Sequence, residues 1–117
     1  MLALSGCTSA LFQAPSHSPA SFETVETFYR PLAMNAARPF IDRAEVQIAE
    51  LRAAVAPQPG DWMTCVRSWK NGREVYVAVF FRDRAVYDTR VAKMIDRCEA
   101  GPYPVATYQQ VNQQVRR

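Results

Sequence analysis

The chain is nearly without histidine: His17 is the only one in 117 residues. A serine or cysteine nucleophile needs a base at its side, so hydrolase chemistry of the usual kind has little to work with. The acidic residues form no pairing typical of general acid and base work, and no Cys/His or carboxylate cluster has metal-ligand spacing. Glycine is scarce as well, at positions 6, 60, 72 and 101, and none builds a loop that could cradle a phosphate. Runs of about 18 apolar residues are absent, which leaves no membrane-spanning helix in the sequence. The charge of +3 is scattered, with no block of like sign, so a nucleic-acid footprint is unsupported. These absences predict a protein with no catalytic residues, no metal and no cofactor.

What is there reads as a small folded domain. An apolar content of 49% with 21% charged residues belongs to a globular chain. Once a leader and a tether are set aside, about 85 to 90 residues remain, enough for one hydrophobic core of marginal size.

Near the N-terminus stands Leu4-Ser5-Gly6-Cys7, two small residues before a cysteine, followed by a Ser/Pro-rich stretch. This resembles the lipobox of bacterial lipoproteins. The resemblance implies that Cys7 carries a lipid, that residues 1–6 are the remnant of a signal peptide, and that Thr8, not being Asp, directs the protein to the outer membrane. Such a signal has a basic n-region and about 7–15 apolar residues. Only Leu2, Ala3 and Leu4 are here, so the resemblance places the start of translation upstream of Met1.

With Cys7 acylated, the remaining cysteines, Cys65 and Cys98, make an even pair in an oxidising compartment. A structural disulfide between them would close a loop of about 33 residues and stabilise the domain by roughly 3–4 kcal/mol in the chain-entropy model. Two buried free thiols are the alternative. A redox-active pair is disfavoured, because neither cysteine sits in a Cys-x-x-Cys arrangement.

Residues 7–21 hold two prolines and several serines and read as a flexible tether with a reach of about 20 Å. His17 lies in it and is read as solvated. The domain is expected over residues 22–105. Phe22, Val25 and Phe28 or Tyr29 fall at helical spacing behind Ser21 as N-cap, with Pro31 ending or kinking the helix and residues 32–38 able to restart it. Residues 39–56 are ambiguous. Ile41, Ala44, Ile48, Leu51 and Val55 follow a helical 3–4 spacing, whereas Ala44, Val46 and Ile48 alternate as in a strand; periodicity leans to helix.

The firmest element is a hairpin. Residues 62–69 and 74–81 are rich in aromatic and β-branched residues and flank Lys70-Asn71-Gly72-Arg73, where Asn-Gly suits a type I′ turn. That turn puts residue i opposite 143 − i. Trp62, Thr64, Val66 and Ser68 then share one apolar face with Phe81, Val79, Val77 and Val75, and Met63, Cys65, Arg67 and Trp69 share the other with Phe80, Ala78, Tyr76 and Glu74. A second reversal at Arg82-Asp83-Arg84 leads into residues 85–91. A three-residue loop is predicted there, with Ala85, Tyr87, Thr89 and Val91 on the apolar face, since the two-residue alternative would bury Asp88 and Arg90. Arg67, Tyr76, Asp88 and Arg90 would then lie together on the second face, which residues 92–105 must cross to bring Cys98 to Cys65. The group is either a patch for a carboxylate or phosphate ligand, or a structural cluster that holds the crossing segment; the second reading is preferred. Residues 106–117 read as a tail or short helix.

The expected architecture is therefore α+β: a three- or four-stranded antiparallel meander covered by an N-terminal helical region and braced by one disulfide. Residues 60–103, with Asp61-Trp62-x-x-Cys65, the hairpin, Phe80-Phe81 and Cys98 followed by Tyr103, are similar to small uncharacterised envelope lipoproteins of proteobacteria. The likeness implies the periplasmic face of the outer membrane and supplies no activity. The leading expectation is a lipid-anchored, non-catalytic binding or scaffold module that contacts an envelope protein or the cell wall and binds no nucleic acid. The alternative is a secreted or periplasmic enzyme inhibitor that uses the braced hairpin as its contact surface.

Overall fold

Ser21 caps the first helix as its sequence position suggests, its Oγ accepting a hydrogen bond from the Thr24 amide at 3.2 Å. The structure, a computed structural model, describes residues 19–103 and 108–109. The lipobox-like Leu4-Ser5-Gly6-Cys7, His17 and almost all of the expected tether lie outside that range, as do most of residues 106–117.

Helix α1 (Phe22–Glu26) ends at Thr27, and α2 (Tyr29–Ala37) begins two residues on. Pro31 accounts for the break. It has no N–H to bond back to the Thr27 carbonyl, and its ring would collide with that carbonyl in a continuous helix. Pro31 therefore sits in the first turn of α2, where a missing donor costs little. The two helices still present a single face. Val25, Tyr29, Ala33 and Ala37, four residues apart, are all completely buried against the sheet. A short 3₁₀ turn, Arg38–Phe40, then leads to the strands.

The strands are β1 (Glu45–Ile48), β2 (Arg52–Ala53), β3 (Trp62–Lys70), β4 (Arg73–Arg82), β5 (Ala85–Val91) and β6 (Tyr108–Gln109). The sheet runs β5-β4-β3-β1-β6, antiparallel throughout, and β2 pairs with β3 further along the edge that β1 uses. It is wider than the expected meander, because β1 and β6 extend it beyond β3.

The β3–β4 register is the one the Asn-Gly turn dictates, from Trp62 opposite Phe81 to Trp69 opposite Glu74. Asn71 at φ +55° and Gly72 at φ +77° supply the two left-handed residues that a type I′ turn needs. At the other end of the hairpin Gly60, at φ +79°, is also obligatory, since a Cβ there would stand 2.8 Å from the Phe81 carbonyl oxygen.

Two expectations need correction. The first concerns residues 39–56, where β1 and β2 replace the helix that periodicity favoured. Both line the open edge of β3, whose backbone groups a helix could not pair. The helix-like spacing has a specific origin. Gln47 faces Arg67 and Ile48 faces Val66, but Arg52 faces Met63, so the pairing slips by one residue over 49–51. The slip returns Leu51 to the side of Val46 and Ile48, three residues after Ile48, while Ala49 turns to the opposite side. It also leaves the Ala49 carbonyl outside the regular ladder. The hydroxyls of Thr64, at 2.7 Å, and Tyr29, at 3.0 Å, donate to it.

The second correction is the β4–β5 turn. Its loop has two residues, Asp83-Arg84, with Arg82 opposite Ala85 and Phe81 opposite Val86. Tyr87 is then extra, and the pairing resumes with Phe80 opposite Asp88 and Val79 opposite Thr89. The burial argument holds for Asp88 and Arg90, which do stay off the apolar face. A β-bulge achieves this in place of a longer loop, because one inserted residue switches every later side chain to the other side. Val86 packs on the main core in place of Ala85 and Tyr87.

The helices cover the first face, where Val46, Ile48, Val66, Val77, Val79 and Phe81 form the main core with them. Tyr29 and Phe81 meet edge to face at 6.3 Å. The second face carries a smaller cluster, Ala49, Met63, Ala78 and Phe80 with the bridge Cys65–Cys98, whose Cα atoms lie 5.5 Å apart. The crossing segment, residues 92–103, lies over it as a strap.

Candidate functional site

The second face is where the polar chemistry collects. Arg67 and Tyr76 are cross-strand partners, Arg90 pairs with Ala78, and Asp88 with Phe80. Sequence reasoning thus places these four side chains on one surface, but their interactions divide them into separate groups.

Arg67 belongs to the hairpin end. Its guanidinium donates to the Glu74 carboxylate and to the Gln47 side-chain oxygen, and lies 5.4 Å from the centre of the Trp69 ring. The hydrogen bond that Arg67 donates to Glu74, together with the charge of that carboxylate, raises the Arg67 pKa above its ordinary value. Arg43 approaches the same ring to 5.4 Å, so the half-buried Trp69 ring meets two cations. The hairpin tip is docked rather than projecting. The Asn71 amide donates to Asp42 Oδ2 at 2.7 Å, and the Asp42 amide donates to the Trp69 carbonyl at 3.0 Å. Tyr76 meets Tyr103 of the strap with ring centres 6.2 Å apart. The Tyr103 hydroxyl donates to the Cys98 carbonyl at 2.7 Å, and its pKa is raised, chiefly by burial.

Arg90 belongs to the strap. It donates to Asp96 through Nη2 at 2.8 Å and Nε at 3.3 Å, while its guanidinium lies 4.8 Å from the Phe80 ring centre. Asp96 is completely buried. It also accepts from Gln58 Nε2 at 3.0 Å and from the Lys93 amide at 2.8 Å, and its own carbonyl accepts from Arg52. Burial alone would raise the carboxyl pKa, but the bonds from Arg90, Lys93 and Gln58 and the Arg90 charge outweigh it and hold the group below its ordinary range. Arg52 reaches further, donating to the Gly101 carbonyl at 3.3 Å. One carboxylate and two arginines thereby tie the strap to β2 and β5.

Asp96, Arg52 and Gln58 were not singled out by sequence reasoning. A signal did exist: a strap forced across a face that carries Arg90 needs a counter-charge, and Asp96, two residues before Cys98, is placed to provide it. Among the described residues, no group of three His, Cys, Asp or Glu side chains could hold a metal ion.

The outer side of the strap exposes two large apolar side chains among charged ones. Met94 is 90% exposed and Ile95 45%, with Val55, at 66%, beside Ile95. Arg97, at φ +52°, turns the chain sharply between the short 3₁₀ turns Met94–Asp96 and Cys98–Ala100.

Compared with models of protein families, with curated proteins and with solved structures, the chain matches none.

Proposed function

We propose that the protein is a non-catalytic binding or scaffold module of a bacterial cell envelope, anchored by a lipid on Cys7 to the periplasmic face of the outer membrane. The observation that carries this reading is the Cys65–Cys98 bridge. Such bridges persist in oxidising compartments, and pairing these two leaves Cys7 as the odd cysteine, within a lipobox-like sequence. The charged groups of the second face support a non-catalytic role. Arg67 is bonded to Glu74 and Arg90 to Asp96, so their charges hold strands and strap together. The partner is an envelope protein or a cell-wall fragment. The inhibitor reading is weaker, because the hairpin tip is tied down by Asp42 and the half-buried Trp69 ring is in contact with Arg43 and Arg67.

Metabolic labelling tests the anchor. The chain is expressed in a double-membraned bacterium behind a complete lipoprotein leader that ends in Leu4-Ser5-Gly6 and is fed an alkyne-tagged fatty acid. The expected result is a label that follows the outer-membrane fraction and vanishes with Cys7→Ser. An unlabelled, soluble product would reject the anchor.

A further inference from the structure

Of the large apolar side chains that the described residues expose, Met94 and Ile95 stand together on the strap with Val55 beside Ile95, whereas Val91, opposite Val77, belongs to the helical side of β5. Met94 and Ile95 line one open depression, and Ile95 and Val55 another. Contiguous exposed apolar surface marks contact sites, whereas single scattered apolar residues are ordinary.

The Met94-Ile95 pair is presented rigidly. The strap is fixed by the disulfide at Cys98, by the Asp96–Arg90 pair and by Arg52 on the Asp96 carbonyl. All three anchors act on its inner side, so Met94 and Ile95 project without contributing to the core. The charges beside them are arranged with the same polarity. Asp96 points inward and is neutralised by Arg90, whereas Lys93 and Arg97 are exposed on either side of the Met94-Ile95 pair. Two exposed carboxylates oppose them: Glu99, which lines the Met94-Ile95 depression, and Glu74, which lines a neighbouring depression with Lys93 and Met94 and is bonded to Arg67.

We infer that the strap is a membrane-contact wedge: Met94 and Ile95 insert into the interface of an anionic bilayer while Lys93 and Arg97 meet its headgroups. Apolar side chains flanked by cations suit that surface, because burial of the tips and attraction to anionic lipid act together. A second copy of this chain is a poorer occupant, since each carries a formal charge of +3 and would bring the same cations to the contact. The wedge does not require the lipid on Cys7, and the two can fail separately.

The test uses the full chain carrying Cys7→Ser, sedimented with vesicles of phosphatidylglycerol and phosphatidylcholine or of phosphatidylcholine alone. Binding is expected only to the anionic vesicles. Met94→Ser/Ile95→Ser should weaken it roughly tenfold or more, given the apolar area removed. Lys93→Ala or Arg97→Ala should each weaken it by about fivefold, the effect shrinking as salt is raised. Met94→Trp, at a position open to solvent, should tighten it. No binding of the parent to anionic vesicles, undiminished binding by the double variant, or no gain from Met94→Trp would overturn the wedge. So would a concentration-dependent dimer that the double variant abolishes. Labelling of Cys7 together with failure here would leave the anchor standing and remove the wedge.

Discussion

The helices close their side of the sheet chiefly with carbon, Val25, Tyr29, Ala33 and Ala37 packing onto Val66, Val77, Val79 and Phe81. The strap closes the other side with far fewer apolar side chains, and depends on one disulfide and one buried carboxylate. The difference has a consequence for stability and another for surface chemistry. Apolar burial on the helical side is indifferent to redox state and acidity, whereas the strap side is conditional on both. Because the strap is held by a few strong inward contacts, its own apolar residues are left available on the outside. A segment pinned in this way can be ordered without being buried.

The largest expected effect comes from removing the bridge. Cys65→Ala/Cys98→Ala should lower the unfolding free energy by about 3–4 kcal/mol, from the loop of 33 residues it closes. Urea denaturation measures the total, and amide exchange locates it. Exchange should rise most in residues 92–103 and least in α2, since the helical core keeps its contacts. Equal acceleration on both sides would mean that the two faces are one cooperative unit and would dissolve the contrast.

Next is Asp96. Its carboxyl is held below the ordinary range, so the folded state gains stability from its ionised form. That gain is complete above the unfolded carboxyl value of about 3.9 and is lost as pH falls through the lower folded value. Asp96→Asn should cost about 2–3 kcal/mol at neutral pH, since it leaves Arg90 without its counter-charge. It should also flatten the loss of stability between about pH 4 and pH 2. Thermal unfolding of both proteins across that range is the measurement. A variant whose acid sensitivity matches the parent's would show that other carboxylates dominate it.

The same contrast explains what was legible in the sequence. The hairpin was readable because Asn71-Gly72 fixes its turn locally and the turn fixes every later pair. The helical face was readable because Ser21 caps it and its apolar residues recur along one side. Burial of charge correctly assigned the side on which Asp88 and Arg90 lie, but it could not tell a longer loop from a bulge at Tyr87, because both put those two charges on the same side and differ only at residues 85–87. The slip over 49–51 was misread for a related reason. Where a strand gains a residue, Ile48 and Leu51 fall three apart, as on a helix. Only the open edge of β3, which is tertiary, resolves that ambiguity. The strap was placed by the cysteines, but its chemistry was not, because Asp96 meets Arg52, Gln58 and Arg90 through long-range contacts that no local pattern encodes.

The smallest expected effect probes the slip itself. The Ala49 carbonyl accepts hydroxyl bonds from Tyr29 of the helical face and Thr64 of the sheet, both buried. Tyr29→Phe or Thr64→Val alone should cost about 0.5–1.5 kcal/mol, since one donor remains in either case. The double variant should cost more than the sum of the two, because it leaves a buried carbonyl with neither hydroxyl, a loss of about 1–3 kcal/mol. A double-mutant cycle by urea denaturation gives the coupling. Strict additivity would mean that each hydroxyl acts alone and that backbone or solvent satisfies the carbonyl. A positive coupling would identify this shared acceptor as the point where the carbon-packed side of the sheet secures the irregular edge strand.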